Sequence, residues 1–101
     1  MPRPISTAPV RILVVEDDSA IRLGLEDTLR AKGYQVSSTA SGKEAMERAG
    51  RDGIDLVLLD LMLPDSEGFD VCRRLKERRP ELAVIMLTAR SAELDRVRGL
   101  E

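Results

Sequence analysis

Three short apolar runs constrain this chain more than any other feature. Ile12-Leu13-Val14-Val15, Leu56-Val57-Leu58-Leu59 and Ala83-Val84-Ile85-Met86-Leu87 show no polar–apolar alternation, and charged or turn-forming residues bound each of them. Unbroken runs of this length suit strands buried on both faces, as in a parallel sheet covered by helices on either side. A weaker strand, Gln35 to Ala40, follows Lys32-Gly33-Tyr34 and reads as an edge strand. The segments between are helical in pattern. Ser19 to Lys32 places Ile21, Leu25 and Leu29 at i, i+4 and i+8, with Asp18 or Ser19 as N-cap and Gly33 just past the end. Ser41-Gly42-Lys43-Glu44 has the capping-box pattern ahead of Ala45, Met46 and Ala49. Gly68 to Arg79 carries Val71, Cys72 and Leu75 on one stripe and stops at Pro80. Ser91 to Glu101 aligns Leu94, Val97 and Leu100. The order β-α-β-α-β-α-β-α calls for right-handed crossovers and for helices on both faces of an open parallel sheet.

With 101 residues the chain forms one small domain at most, and a 43% hydrophobic content is enough for a modest packed core. Residues Met1 to Pro9 hold three of the five prolines and read as a disordered tail, leaving 10–101 as the folded domain. The absence of histidine removes imidazole bases, His-ligated zinc and serine-protease-like triads, and the single Cys72 excludes an internal disulfide and a cysteine metal cluster. With one Tyr, one Phe and no Trp there is no stacking platform. A net charge of −2, from 16 basic and 18 acidic side chains, argues against coating nucleic acid. No apolar run approaches the roughly 20 residues of a membrane helix, and no signal peptide is apparent. A cytoplasmic location and no membrane contact are expected.

In open parallel sheets ligands bind beyond the carboxyl ends of the strands, where the strand order reverses. The residues just past each buried run are therefore the candidates for chemistry. Glu16, Asp17 and Asp18 come after Val15, Asp60 after Leu59, and Thr88 after Leu87. Parallel strands bring these to one edge of the sheet as a cluster of carboxylates with a hydroxyl beside it. Close carboxylates repel one another, and a divalent cation removes the conflict. Oxygen ligands without Cys or His favour Mg2+ over zinc. Such a site suits a phosphoryl group meeting a metal, with a carboxylate, ionised at neutral pH, as its acceptor.

These residues carry a resemblance. Ile12-Leu13-Val14-Val15-Glu16-Asp17-Asp18, Leu58-Leu59-Asp60-Leu61-Met62-Leu63-Pro64 with Gly68, and Met86-Leu87-Thr88-Ala89-Arg90, in that order, resemble the response-regulator receiver domain of two-component signalling. The likeness spans the chain from Val10 on. It implies a flavodoxin-like (CheY-like) open parallel sheet of strand order 2-1-3-4, with the family's fifth strand and helix missing. By position, Asp60 resembles the phosphorylated aspartate, Asp17 the direct Mg2+ ligand, and Glu16 a ligand acting mostly through water. The backbone carbonyl of Met62 resembles the remaining protein ligand. Thr88 resembles the switch hydroxyl that turns toward the phosphoryl group, Ala89 leaves it room, and Pro64 and Gly68 shape the loop after Asp60. The implied reaction is transfer from the phosphohistidine of a sensor histidine kinase to Asp60, read by a partner protein or an attached output domain. Asp60 to Pro64 and Leu87 to Arg90 look most like receivers joined to winged-helix DNA-binding domains, which implies transcriptional regulation rather than direct nucleic-acid contact by this domain.

Plainer roles stand beside these. Glu16-Asp17-Asp18 can cap a helix and complement its dipole. Thr88 suits a strand on propensity alone, Pro64 and Gly68 are ordinary loop punctuation, and Cys72 reads as core packing. Arg73, Arg74, Lys76, Arg78 and Arg79 complement a helix C-terminus. Among rival functions, a nucleotide-binding enzyme lacks its glycines, since neither G-x-G-x-x-G nor a complete phosphate loop is present. An aspartyl phosphatase would resemble D-x-D, whereas Leu61 and Met62 follow Asp60. A receiver-like interaction module that is not phosphorylated remains the alternative.

The family's active-site lysine and the aromatic partner of Thr88 lie on or after the fifth strand, and Lys32, Lys43 and Lys76 all fall within or at the ends of helices. The resemblance therefore implies an incomplete domain that ends in its fourth helix, about twenty residues short at ordinary element lengths. It also implies an exposed apolar edge at Ala83 to Leu87 with a tendency to homodimerise, and slow phosphoryl chemistry.

Overall fold

The computed structural model describes residues 9–61 and 63–87. Within them the order is β1 (Arg11–Val15), α1 (Ser19–Ala31), β2 (Gln35–Thr39), α2 (Gly42–Arg51), β3 (Leu56–Asp60), α3 (Gly68–Arg78) and β4 (Ala83–Leu87). All neighbouring strands pair in parallel, in the order β2-β1-β3-β4. The sheet order is the one the resemblance implies. The N-terminal tail up to Ala8 and the helix expected over Ser91 to Glu101 lie outside the described residues, and Pro9 is exposed and belongs to no element.

Alternation along the buried strands sorts the core into two layers. Leu13, Val15, Val57 and Leu59 face α2 and α3, where Ala45, Ala49, Val71 and Leu75 close over them with Ile54, Leu63 and Leu82. Ile12, Val14 and Leu58 face the other way, toward Leu25 and Leu29 of α1. Each fully buried aliphatic side chain contributes about 1.5–3 kcal/mol of transfer free energy, so the layer under α2 and α3 carries most of the stability. Cys72 packs against this layer, in keeping with its position in the stripe. The α1 stripe is only partly realised: Leu25 and Leu29 are half-buried, whereas Ile21 is 39% exposed and no α1 residue is fully buried.

Helix ends obey their local chemistry. Asp18 is the N-cap of α1, its Oδ1 accepting from the backbone N–H of Ala20 at 2.9 Å and of Ile21 at 3.0 Å. Beyond α1, Gly33 takes φ +95°, and the N–H groups of Gly33 and Tyr34 donate to Arg30 and Leu29 in the paired pattern that glycine permits. The capping box at α2 is only half made. Ser41 Oγ accepts from Glu44 N at 3.2 Å, but the Glu44 carboxylate pairs with Arg48, and Ser41 N donates instead to Thr39 Oγ1. At the end of α3, Lys76 Nζ donates to the carbonyls of Pro80 and Leu82, and Arg79 Nη1 to those of Ala49 and Ile54. Two of the five basic side chains there lock the α3–β4 corner and tie α3 to α2, while Arg73 and Arg74 pair with Asp70.

Three boundaries move by a residue: α1 ends at Ala31 with Lys32 as C-cap, β2 at Thr39, and α3 at Arg78 with Arg79 as C-cap. A larger correction concerns β4. Its unbroken apolar run suits a doubly buried strand, yet among the described strands β4 is outermost, with Ala83 exposed and Ile85 48% exposed. That matches the edge position implied by the resemblance. No helix among the described residues is long and apolar enough to cross a membrane.

Candidate metal centre

β1 and β3 lie side by side in parallel, with Val15 opposite Leu59. The next residue of each chain segment, Glu16 and Asp60, therefore arrives at the same carboxyl edge. This is the switch point of the sheet, because the chain turns from β1 outward to β2 and then returns past β1 to β3. Glu16 and Asp60 are buried and Asp17 is exposed. One carboxylate oxygen from each lies within 4.8 Å of the other two. The acidic triplet thus divides its labour: Asp18 caps α1, and Glu16 and Asp17 join Asp60.

The cluster is electrostatically costly without a cation. Burial pushes the Glu16 carboxyl up to about 7. The hydrogen bond and charge of Asp60 and a hydrogen bond from Asp17 add to that rise, and the N–H of Asp18, 3.0 Å from Glu16 Oε2, opposes it. Arg22 reaches back from α1 and donates through Nη1 to the carbonyls of Glu16 at 2.8 Å and Asp17 at 3.4 Å, which braces the acidic loop through its backbone.

The donor set fits a hard divalent cation. It offers only oxygen, with no imidazole or thiolate competing for a softer metal. Three carboxylate oxygens that all lie within 4.8 Å of one another are close enough for one small hard cation to be held by them directly or through water.

The loop that leaves Asp60 is held closely. Leu61 N donates to Leu87 O of β4, and Gly68 N donates to Leu61 O at 2.9 Å. A Cβ at Gly68 would lie 2.5 Å from Asp60 O and 2.6 Å from Leu61 Cα, so only glycine fits where α3 starts against the end of β3. Gly68 is more than loop punctuation.

Of the residues read from sequence as the site, Glu16, Asp17 and Asp60 come together, and Met62, Thr88 and Ala89 lie outside the described residues. Sequence reading misses Asp65. Its Oδ1 accepts from Gly42 N at 3.0 Å, and its Oδ2 accepts from Ser41 Oγ at 2.9 Å and Lys43 N at 3.2 Å. These bonds, the one from Gly42 N foremost, hold its carboxyl well below the usual carboxylate range. The only local signal is an acid in the turn after Pro64, and its partners lie 22 to 24 residues away.

Among the described residues, a four-stranded parallel sheet wrapped by helices, with an acidic cluster at its switch point, defines a CheY-like α/β domain. The chain belongs to the response regulator receiver domain family, whose model matches residues 12–101. It is 43% identical over 93 residues to the response regulator MprA of Mycolicibacterium vanbaalenii, covering 92% of this chain and 40% of that protein. It is 44% identical over 90 residues to the transcriptional regulatory protein AfsQ1 of Streptomyces coelicolor, covering 89% of this chain and 40% of that one. The chain therefore spans about 40% of the length of these curated relatives. Among solved structures it is similar to the response regulator TrrA of Thermotoga maritima in complex with Mg(2+)-BeF, with a TM-score of 0.77 and 34% identity over 79% of this chain and 70% of that one. TrrA has also been solved in complex with the histidine kinase ThkA, where the likeness has a TM-score of 0.76 at 34% identity over 79% of this chain and 69% of that one.

Proposed function

We propose that this receiver domain accepts a phosphoryl group on Asp60 from the phosphohistidine of a sensor histidine kinase. The observation that carries the reading is the convergence of the Glu16, Asp17 and Asp60 carboxylates at the carboxyl edge of β1 and β3. A carboxylate oxygen of Asp60 forms the new O–P bond as the P–N bond to the kinase imidazole breaks, and the bonding pair returns to the ring nitrogen. Asp17 would hold Mg2+ directly, Glu16 mostly through water, and the carbonyl of Met62 would supply the remaining protein ligand. Bound there, Mg2+ neutralises charge on the transferring oxygens. The TrrA complex with Mg(2+)-BeF supports the cation, and the TrrA–ThkA complex supports the kinase as partner.

The charge of about −2 on the new phosphoryl group draws the Thr88 hydroxyl inward, with Ala89 leaving room, and biases the surface between two states. An output domain or partner reads that bias. The likeness to AfsQ1, a transcriptional regulatory protein, supports transcriptional regulation through a DNA-binding output of winged-helix type. Residues 10–101 form the receiver domain behind a short tail, acting in the cytoplasm as a signalling module rather than an enzyme. β4, outermost among the described strands, is the edge through which two copies pair.

The test is to incubate the protein with an acyl phosphate donor, with and without Mg2+, and record its intact mass. A Mg2+-dependent gain of one phosphoryl group, abolished in Asp60→Asn, is the expected result. A folded, Mg2+-loaded protein that gains nothing is an interaction module that is not phosphorylated.

A further inference from the structure

The turn beyond Asp60 is fastened to the far side of the acid cluster. From Glu16, the backbone N–H donates to Thr39 O at 3.0 Å. Thr39 Oγ1 accepts from Ser41 N at 3.2 Å, and Ser41 Oγ donates to Asp65 at 2.9 Å. Asp65 also receives the N–H groups of Gly42 and Lys43 and the hydroxyl of Ser66. Residues 63–67 then lead to Gly68, whose N–H returns to Leu61 O beside Asp60. The path begins at the backbone of one buried acid and ends at the carbonyl of the residue after the other. It is also sterically tight: a Cβ on Gly42 would lie 2.1 Å from Ser66 Oγ and 2.9 Å from Val71 Cγ2.

Asp65 caps the start of α2 and also ties it to another segment. Ser41 is already the N-cap of α2, taking the N–H of Glu44 on its hydroxyl, and its carbonyl takes that of Ala45. Of the remaining N–H groups, that of Gly42 belongs to a buried residue and takes Asp65 as its partner, whereas that of Lys43 is exposed and water could serve it at little cost. What water cannot supply is a rigid tie between α2 and the turn beyond Asp60.

We propose that Asp65 is a positioning residue for phosphoryl acceptance: by clamping the turn after Asp60 to the start of α2 it closes a ring of hydrogen bonds that sets where Asp60 stands relative to Glu16. The inference rests on the reading of Asp60 as acceptor. Asp65 belongs to none of the three acids of the cluster and acts only through the turn. Misplacing a reacting group by an ångström costs up to about a hundredfold in rate, so a loosened turn is expected to cost about tenfold. Outer-shell partners typically change metal affinity by about tenfold or more, and a partner one step further out is expected to change it about threefold.

The experiment uses the full chain as wild type, Asp65→Ala, Asp65→Asn and Ser41→Ala. Amide hydrogen exchange at Gly42 and Lys43 reports the clamp, calorimetry reports the Mg2+ Kd, and intact mass reports the phosphorylation rate at saturating Mg2+, well below each variant's Tm. The expected result is lost protection at both amides in Asp65→Ala, a rate about tenfold lower and a Kd about threefold weaker, with Asp65→Asn in between because it keeps one acceptor oxygen. A folded Asp65→Ala that loses protection but keeps wild-type rate and Kd overturns the proposal and leaves Asp65 a helix cap. If Asp65→Ala does not fold, Asp65→Asn and Ser41→Ala decide it: both slower than wild type at equal Mg2+ occupancy supports the clamp, and both unchanged overturns it. A wild type that binds Mg2+ but takes up no phosphoryl group refutes the reading of Asp60 instead, and the clamp is then judged on Kd alone.

Discussion

Replacing Glu16 with Gln should stabilise the metal-free protein at alkaline pH. Glu16 is 6% exposed, and burial with Asp60 nearby moves its carboxyl from 4.5 to about 7. Below pH 4.5 the group is protonated in both folded and unfolded chains, and the site carries no penalty from it. Between pH 4.5 and 7 the unfolded chain releases the proton while the folded chain keeps it, so stability falls as pH rises, and the full penalty is present above pH 7. At 1.36 kcal/mol per pH unit the shift corresponds to about 3 kcal/mol. Gln keeps the acceptor for the N–H of Asp18 and removes the charge, at the cost of burying an amide. A net gain of about 2 kcal/mol at pH 8 is expected, turning by pH 4 into a loss of about 1 kcal/mol from the buried amide alone. Urea unfolding followed by far-UV circular dichroism in chelator measures both proteins across that range. Glu16→Gln equal to or less stable than wild type at pH 8 would refute the electrostatic reasoning.

Metal linkage, packing and hydrogen bonding set the other expectations. Adding saturating Mg2+ at pH 8 should raise the wild-type urea midpoint and raise that of Glu16→Gln by less, because the ion relieves a repulsion the variant lacks. Gly68→Ala drives a methyl to within 2.5 Å of Asp60 O, and a loss of at least about 2 kcal/mol is expected in the same urea assay. Leu59→Ala empties a fully buried position between β1 and α3 and should cost about 3–4 kcal/mol, read as a lower midpoint at unchanged m. Arg79→Ala leaves the carbonyls of Ala49 and Ile54 without their donor and should cost about 1–3 kcal/mol, with Arg79→Lys recovering part of it.

Features of this fold were legible in proportion to how local their causes are. β1 and β3 stand out because burial on both faces leaves an unbroken apolar run, and the site emerges because Glu16 and Asp60 are the first residues after runs that pair in register. The β2-β1-β3-β4 order came with the family resemblance, since no pattern within one strand specifies its neighbours. β4 shows the same limit: Ala83 to Leu87 looks by its own pattern like an interior strand, and its outer place came only with the resemblance, which the 48% exposure of Ile85 agrees with. The role of Gly68 depends on a close approach to Asp60 O that loop composition cannot express. Asp65 was missed for a related reason. Its donors sit on another helix start, and the pattern at Ser41 to Glu44 suggested a self-sufficient capping box, whereas Glu44 turns to Arg48 and a distant acid serves Gly42 and Lys43.

The central claim is that Asp60 is a Mg2+-dependent phosphoacceptor, and locating the modified atom tests it most directly. After treatment with Mg2+ and an acyl phosphate donor, borohydride reduction converts a phosphorylated aspartate to homoserine, which peptide mass mapping places in the chain. Conversion at Asp60, absent when Mg2+ is chelated, is the predicted result. Conversion at Asp17 or another acid, or none at all in a folded protein that binds Mg2+, would contradict it.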